Sequence, residues 1–114
     1  MVVRSSFTDA EIDRVFQALS DTTRRDIVAR VLVGEQSVST LAARYAMSFA
    51  AVQKHVAVLE DAGLGSKYAR GRERMVRGNP AQLARARELL ARLEDLWKAR
   101  FSQLDAVLGL PTKE

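Results

Sequence analysis

The 114-residue sequence predicts a mainly α-helical domain that carries one small β-hairpin. Apolar residues recur every three or four positions over most of the chain, as on one face of an amphipathic helix. Residues 65–78 instead read GSKYARGRERMVRG, two short runs around Arg70-Gly71-Arg72, where the glycine allows the positive φ of a tight strand connection. Asn79-Pro80 then opens a last helical pattern of about 30 residues. A chain of this length fits a single domain over residues 1–114.

The first helix is predicted over residues 8–19. Its start, Thr8-Asp9-Ala10-Glu11, fits a capping box, in which the Thr8 hydroxyl and the Glu11 carboxylate accept hydrogen bonds from free backbone N–H groups. One face of the helix is apolar and consists of Ile12, Val15, Phe16 and Leu19.

A second helix is predicted from Thr22 to about Val33, with Ser20 or Asp21 as its N-cap and Gly34 at its end. Its core-facing residues are predicted to be Ile27, Val31 and Leu32. Arg24 and Arg25, on the first turn, have two possible roles: contact with a DNA backbone, or local salt bridges.

Residues 37–62 predict a short helix, a tight turn and a longer helix. Ser48 is a natural N-cap for the longer helix, in which Val52, Val56 and Leu59 recur at i, i+4 and i+7. Gly63 follows, well placed for a left-handed C-terminal cap. This arrangement lays a recognition helix in the DNA major groove, although any two amphipathic helices give a similar pattern.

The hairpin, residues 64–78, is strongly basic. Its strands are predicted at Ser66–Ala69 and Glu73–Val76. It carries one negative charge, that of Glu73, and five positive charges, those of Lys67, Arg70, Arg72, Arg74 and Arg77. A basic hairpin directly after a helix-turn-helix is a wing, whose arginines can contact phosphates or enter the minor groove. The alternative is a solvated loop whose arginines make no contact.

The residues predicted to contact DNA lie at the start or on the outer face of the second helix of the pair, or on the wing: Ser48, Phe49, Ala50, Gln53, Lys54, His55, Lys67, Arg70, Arg72 and Arg74. Gln53 suits adenine, and Lys54 suits guanine or a phosphate. His55 has three possible roles: a donor to phosphate, a partly buried residue bonded to a backbone carbonyl, or a pH-sensitive contact.

Two phrases of the sequence resemble the ArsR-type winged-helix transcriptional regulators. ALSDTTRRDIV is similar to the family's ALSDPTRRAIL, and AVQKHVAVLEDAGL is similar to AVSKHLKVLEEAGL. The resemblance covers roughly residues 15–76 and implies a repressor of transcription that forms a dimer through its first and last helices. The sequence departs from the family pattern in three places: Thr22 replaces a frequent proline, Gln53 replaces a frequent serine, and Gly65 replaces a β-branched residue, which predicts a short or mobile wing.

The last helix is predicted over residues 80–108, before Pro111 and a charged tail. Its apolar residues follow one another at steps of three and four, a coiled-coil-like seam: Leu83, Ala86, Leu90, Leu93, Trp97, Phe101, Leu104 and Leu108. This is more apolar surface than the core of so small a domain covers, so we expect a second copy of the chain to cover it. The predicted dimerisation residues are Ile12, Val15, Phe16, Leu90, Leu93, Trp97, Phe101 and Leu104.

Composition argues against catalysis and against metal binding. The chain has no cysteine and a single histidine, so a Cys–His pair cannot form and the softer ligands of zinc and copper sites are missing. The carboxylates of the last helix are predicted to pair with its own basic residues. We therefore predict no enzymatic activity, no metal and no cofactor.

Charge and hydropathy favour an anionic partner in the cytoplasm. The net charge is +4 and the isoelectric point is near 10.0. No apolar run approaches the roughly 20 residues of a membrane-spanning helix, and MVVRSSFTDAE has no apolar signal core.

The function predicted is that of a homodimeric repressor that binds double-stranded DNA at a palindromic operator, with its inducer unknown. Two alternatives remain. One is a winged-helix module whose basic wing binds an acidic protein, without specific DNA binding. The other is an enzyme-like sensor gated by a metal or small molecule, which the missing ligands and the absence of a recognisable catalytic cluster disfavour.

Overall fold

The computed structural model describes residues 7–109, and Pro111 and the charged tail lie outside that range. Within it the chain forms five helices and three strands. The helices are α1 (Asp9–Leu19), α2 (Thr22–Val33), α3 (Val38–Ala42), α4 (Phe49–Asp61) and α5 (Pro80–Leu108), and the strands are β1 (Gln36–Ser37), β2 (Gly65–Arg70) and β3 (Glu73–Gly78). The predicted fold class, mainly α with a small β-hairpin and a long last helix, is confirmed. Two compact units are distinguished, one ending at Leu83 and the other beginning at Ala84.

The predicted side-chain caps fix where the first helices begin. The Thr8 hydroxyl accepts from the Glu11 backbone N–H at 3.1 Å, and the Glu11 carboxylate accepts from the Thr8 N–H at 2.9 Å, which completes the capping box. Of the two candidate caps for α2, Asp21 is the one used, since its Oδ2 accepts from the Arg24 N–H at 3.0 Å. The Ser20 hydroxyl donates instead to the Gln17 carbonyl.

Helix α4 begins and ends as predicted. The Ser48 hydroxyl accepts from the Ala51 N–H at 3.1 Å. At the other end Gly63 has φ +75°, the Leu64 N–H donates to the Leu59 carbonyl, and the Gly63 N–H donates to the Glu60 carbonyl. This is the Schellman motif, which satisfies the carbonyls that the end of a helix leaves free.

The core of the first unit is built from the inward faces of its helices and of the sheet. Its buried apolar residues include Val15, Ile27, Val28, Val31, Val38, Leu41, Val52, Val56, Leu59, Leu64, Met75 and Val76. The predicted α4 face is therefore confirmed. Leu32, predicted as core, is 37% exposed. It lies over the end of β3, where a Cβ on Gly78 would come within 2.9 Å of its Cδ2 atom.

The sheet is antiparallel with the order β1-β3-β2, and its strand β1 was not predicted. The strands of the wing are longer than expected, because they pair from Gly65↔Gly78 to Arg70↔Glu73. Of the two predicted alternatives, a short wing is therefore wrong, and a mobile wing stays a prediction. A Cβ on Gly65 would lie 3.1 Å from the Arg77 carbonyl oxygen, so a residue without a side chain suits this close pairing. The turn has a positive φ at Gly71 (+60°) but not at the next residue, as in a type II′ turn.

The second unit, described from Ala84 onward, consists of helix α5 and carries most of the predicted apolar seam on its surface. The side chains of Leu90, Leu93, Trp97, Phe101 and Leu104 are each more than half exposed. The Trp97 and Phe101 rings stack with their centroids 5.4 Å apart. No helix within residues 7–109 is both long and apolar enough to cross a membrane.

Candidate nucleic-acid interface

The outer face of α4 presents polar side chains that are not used inside the chain. Gln53 and Lys54 are exposed, on the side of α4 away from Val52, Val56 and Leu59. Neither side chain forms a hydrogen bond or an ion pair with any other described residue. Their donors and acceptors are therefore available to a base edge or a phosphate.

The N-terminus of α4 combines a committed hydroxyl with an exposed ring. Ser48 is exposed, but its Oγ atom already accepts the capping hydrogen bond described above. Phe49 is 47% exposed, and Ala50 beside it is exposed as well. Both leave room for an apolar contact with a partner.

His55 is partly buried, with 21% of its side chain exposed, as one of its three predicted roles required. Its partner, however, is a guanidinium and not a backbone carbonyl: the Nδ1 atom lies 3.2 Å from Arg24 Nη1 and 3.9 Å from Asp21 Oδ2. Because arginine only donates, Nδ1 is the acceptor in this contact.

The arginines at the start of α2 bind carbonyls at the end of α1. Arg24 donates from Nε to the Ala18 carbonyl at 2.8 Å, and Arg25 donates from Nη1 to the Leu19 carbonyl at 2.8 Å. These hydrogen bonds to backbone carbonyls are not the predicted local salt bridges. They also engage the guanidinium groups that the predicted contact with DNA would need. Positive charge at a helix C-terminus is favourable because the last carbonyls carry partial negative charge.

The turn before α4 is held to α2 through one carboxylate. Asp26 Oδ2 accepts from the Tyr45 hydroxyl at 2.5 Å and from Arg30 Nε at 2.8 Å. These hydrogen bonds, that of Tyr45 first, lower the pKa of Asp26, while burial is the main cause of a raised pKa at Tyr45. The contact fixes the approach of the chain to the predicted recognition helix.

The basic side chains of the wing fall into two groups. Arg72 and Arg74 are exposed, and neither is ion-paired with a residue in the 7–109 range. The others face carboxylates of their own chain. Lys67 Nζ lies 3.6 Å from Glu60 Oε1, while Arg70 Nη2 and Arg77 Nε lie 3.3 Å and 2.9 Å from the oxygens of Glu35. The predicted contacts of Lys67 and Arg70 with DNA would therefore compete with these pairs.

Glu35 is the residue of this site that the sequence analysis missed. It lies between α2 and β1, one position before the pair Gln36↔Val76, so it stands beside Arg77. Its carboxylate also accepts from the Tyr68 hydroxyl, and the Tyr68 ring lies 4.7 Å below the Arg77 guanidinium. The hydrogen bonds from Tyr68 and then Arg77 lower the pKa of Glu35. Its only sequence signal was an acidic residue next to a strand that was too short to predict.

The predicted dimerisation residues are not equally available. Ile12 and Phe16 of α1 are partly exposed. Val15 is fully buried in the core of its own chain, so its assignment to a dimer surface is corrected. The five residues of α5, from Leu90 to Leu104, are exposed as given above. The described chain has no group of three or more histidine, cysteine or acidic side chains that could hold a metal ion.

Comparison with known proteins gives consistent relatives, although no family model matches the chain. The chain is 40% identical over 80 residues to the HTH-type transcriptional regulator Rv2034 of Mycobacterium tuberculosis, covering 70% of this chain and 75% of that protein. It resembles the crystal structure of an ArsR family transcriptional regulator, RHA00566, with 31% identity, a TM-score of 0.75, and 80% and 94% of the two chains covered. It also resembles the structure of an ArsR-like transcriptional regulator from Rhodococcus sp. RHA1, with 35% identity and a TM-score of 0.76. That match covers 86% of this chain and 92% of the Rhodococcus chain.

Proposed function

Because this chain belongs to the ArsR family of winged helix-turn-helix transcriptional regulators, we propose that it is a homodimeric repressor that binds a palindromic DNA operator. The observation that carries the proposal is the outer face of α4, where the exposed side chains of Gln53 and Lys54 take no part in the hydrogen bonds of the described residues. Side chains held on a rigid helix without internal partners suit the reading of base edges.

On the DNA, α4 enters the major groove with its N-terminal half foremost. Gln53 bonds an adenine edge, and Lys54 bonds guanine or a phosphate. The wing lies beside the groove, where Arg72 and Arg74 contact the backbone or the adjacent minor groove. Ser48, Phe49 and Ala50 approach the DNA at the start of the helix, while His55 supports the helix from its partly buried position.

Dimerisation supplies the second half of the operator. The exposed seam of α5, from Leu90 to Leu104, pairs with a second copy of the chain, together with Ile12 and Phe16 of α1. Each subunit then places one α4 in a major groove, and a two-fold axis between the subunits requires two inverted half-sites about 10 base pairs, or a multiple of that, apart. Repression follows when the bound dimer blocks the promoter. No inducer is assigned.

Two experiments on the purified protein test the two parts of the proposal. Sedimentation at micromolar concentration is expected to give a dimer, and selection from a random duplex pool is expected to enrich one palindromic sequence. A monomer would contradict the assembly, and a pool without enrichment would contradict sequence-specific binding. The rival, a module for an acidic protein, predicts only sequence-independent binding to duplex DNA, which weakens with salt and enriches no sequence.

A further inference from the structure

One carboxylate of the first unit faces two arginines of the wing. Glu35 accepts from Arg77 through Oε2 and from Arg70 and Tyr68 through Oε1. Tyr68 and Arg70 are two residues apart on β2, so their side chains share one face of the hairpin. Arg70 also donates to the Tyr68 hydroxyl at 2.7 Å, and both guanidinium groups lie within 6 Å of the Tyr68 ring centre.

This cluster separates the basic side chains of the wing into those that are paired with a carboxylate and those that are not. Arg70 and Arg77 are more than half exposed, yet each must leave Glu35 before its guanidinium can bind a phosphate. Lys67 is held in the same way by Glu60. Only Arg72 and Arg74, at and beside the turn, are without such a competitor among the described residues of the wing.

We propose that Glu35 is a specificity-determining residue, which withholds Arg70 and Arg77 from DNA phosphates and so limits the sequence-independent affinity of the wing. The inference rests on the proposed function, since it concerns how the same DNA interface is tuned. Attraction to phosphates does not depend on sequence, so each arginine withheld lowers binding to random DNA and leaves base reading by α4 untouched. The ratio of operator affinity to random-DNA affinity rises accordingly.

The test compares Glu35→Gln with Glu73→Gln as a matched control. Both substitutions remove one negative charge at the wing, but Glu73 is exposed and makes no ion pair with the described residues. Binding of each protein to a random-sequence duplex and to the selected operator is measured over a series of salt concentrations. Thermal unfolding of each variant verifies that it is folded.

Glu35→Gln is expected to strengthen binding to random duplex about fivefold at low salt, because each arginine no longer has to break an ion pair. The slope of log affinity against log salt steepens by about one to two units per subunit, since about 0.9 unit belongs to each phosphate contact. Glu73→Gln is expected to change the random-duplex affinity by less than about twofold, because the Glu73 carboxylate holds no arginine away from DNA and its exposed charge is screened by salt. The operator-to-random ratio falls for Glu35→Gln alone.

Equal effects of the two variants would overturn the proposal, because net charge would then explain both. Weaker random-duplex binding by Glu35→Gln would also overturn it, since Glu35 would then orient the arginines toward DNA. A wild type that binds random duplex but selects no operator would instead refute the proposed function, while the comparison of slopes still tests the role of Glu35.

A measurement on the wild type keeps the proposal testable if Glu35→Gln fails to fold. The Nε–H proton of Arg77, bonded to Glu35, is expected to give a slowly exchanging NMR signal in the free protein and to keep it when random duplex is added. Loss of that signal on random duplex, or its absence from the free protein, would overturn the proposal.

Discussion

Replacing Gly63 by alanine tests how the end of α4 is joined to the start of α5. Gly63 has φ +75°, a conformation that costs an L-residue about 1–2 kcal/mol. An added Cβ would also lie 2.9 Å from Gln82 Nε2, which is buried and donates to the Ala62 carbonyl at 3.0 Å. The methyl group must therefore displace the Gln82 amide, and a buried hydrogen bond lost in this way costs roughly 1–3 kcal/mol.

The two terms together predict that Gly63→Ala lowers the free energy of unfolding by about 2–5 kcal/mol. Gly71→Ala is a comparison without a clash, because Gly71 also has a positive φ (+60°) but its Cβ would meet nothing within 4 Å. The two substitutions reduce unfolded-chain entropy alike, but alanine is strained differently in a type II′ turn and at the end of a helix, so their costs are not subtracted from each other. The Gln82 contact, about 1–3 kcal/mol, is isolated by making Gly63→Ala with and without Gln82.

Urea unfolding at one fixed protein concentration measures both variants, since the stability of a dimer depends on concentration. A third protein, Gln82→Ala, removes the side chain that the methyl group would meet. On that background Gly63→Ala is expected to cost about 1–3 kcal/mol less than in the otherwise unchanged chain, because only the backbone strain is left. Equal costs on the two backgrounds would refute the inferred clash with Gln82.

Three further predictions follow from the interface, the assembly and a helix cap. Gln53→Ala should make the free energy of operator binding less favourable by about 1–3 kcal/mol and leave binding to random duplex nearly unchanged. Arg72→Ala should weaken binding to operator and to random duplex by similar factors in the same titration. The reverse pattern would mean that the wing reads bases. The double substitution Leu93→Glu and Trp97→Glu should give monomers or insoluble protein in sedimentation and should abolish operator binding. A soluble dimer of this variant would contradict the role of the α5 seam as the dimer interface. The hydrogen bond from the Arg24 backbone N–H lowers the pKa of the Asp21 carboxyl in the folded chain. The stability advantage of wild type over Asp21→Asn should therefore be complete above the ordinary pKa of 3.8 and decline as pH falls from there through the lowered pKa, as urea unfolding at several pH values can measure. An advantage independent of pH would contradict the charged cap.

Local signals accounted for most of the helical fold. The capping box at Thr8, the N-cap at Ser48 and the left-handed Gly63 depend on residues within a few positions of one another, so the sequence alone displays them. The buried face of α4 followed from the helical period in the same way. Strand β1 could not be found by period, because two residues show no alternation and pair with β3 far along the chain.

The missed parts of the site depend on partners distant in sequence. Glu35 meets Tyr68, Arg70 and Arg77 at separations of 33, 35 and 42 residues, and only the register of β1 on β3 brings them together. The guanidinium of Arg24 likewise reaches His55 across 31 residues. A helical pattern can identify the core face of α2, but it does not reveal that Leu32 covers Gly78 at the end of β3.

The unpartnered face of α4 separates what the helix recognises from what keeps it folded. Gln53 and Lys54 form none of the contacts described for the chain, so exchanging them for other helix-forming residues should alter stability by no more than about 0.5 kcal/mol. Ser48 and Val52, one capping the helix and the other buried beneath it, allow no such freedom. Mutation can therefore explore new operators at the first two positions without risk to the scaffold, and the same two positions offer a compact library for retargeting the protein to a chosen DNA sequence.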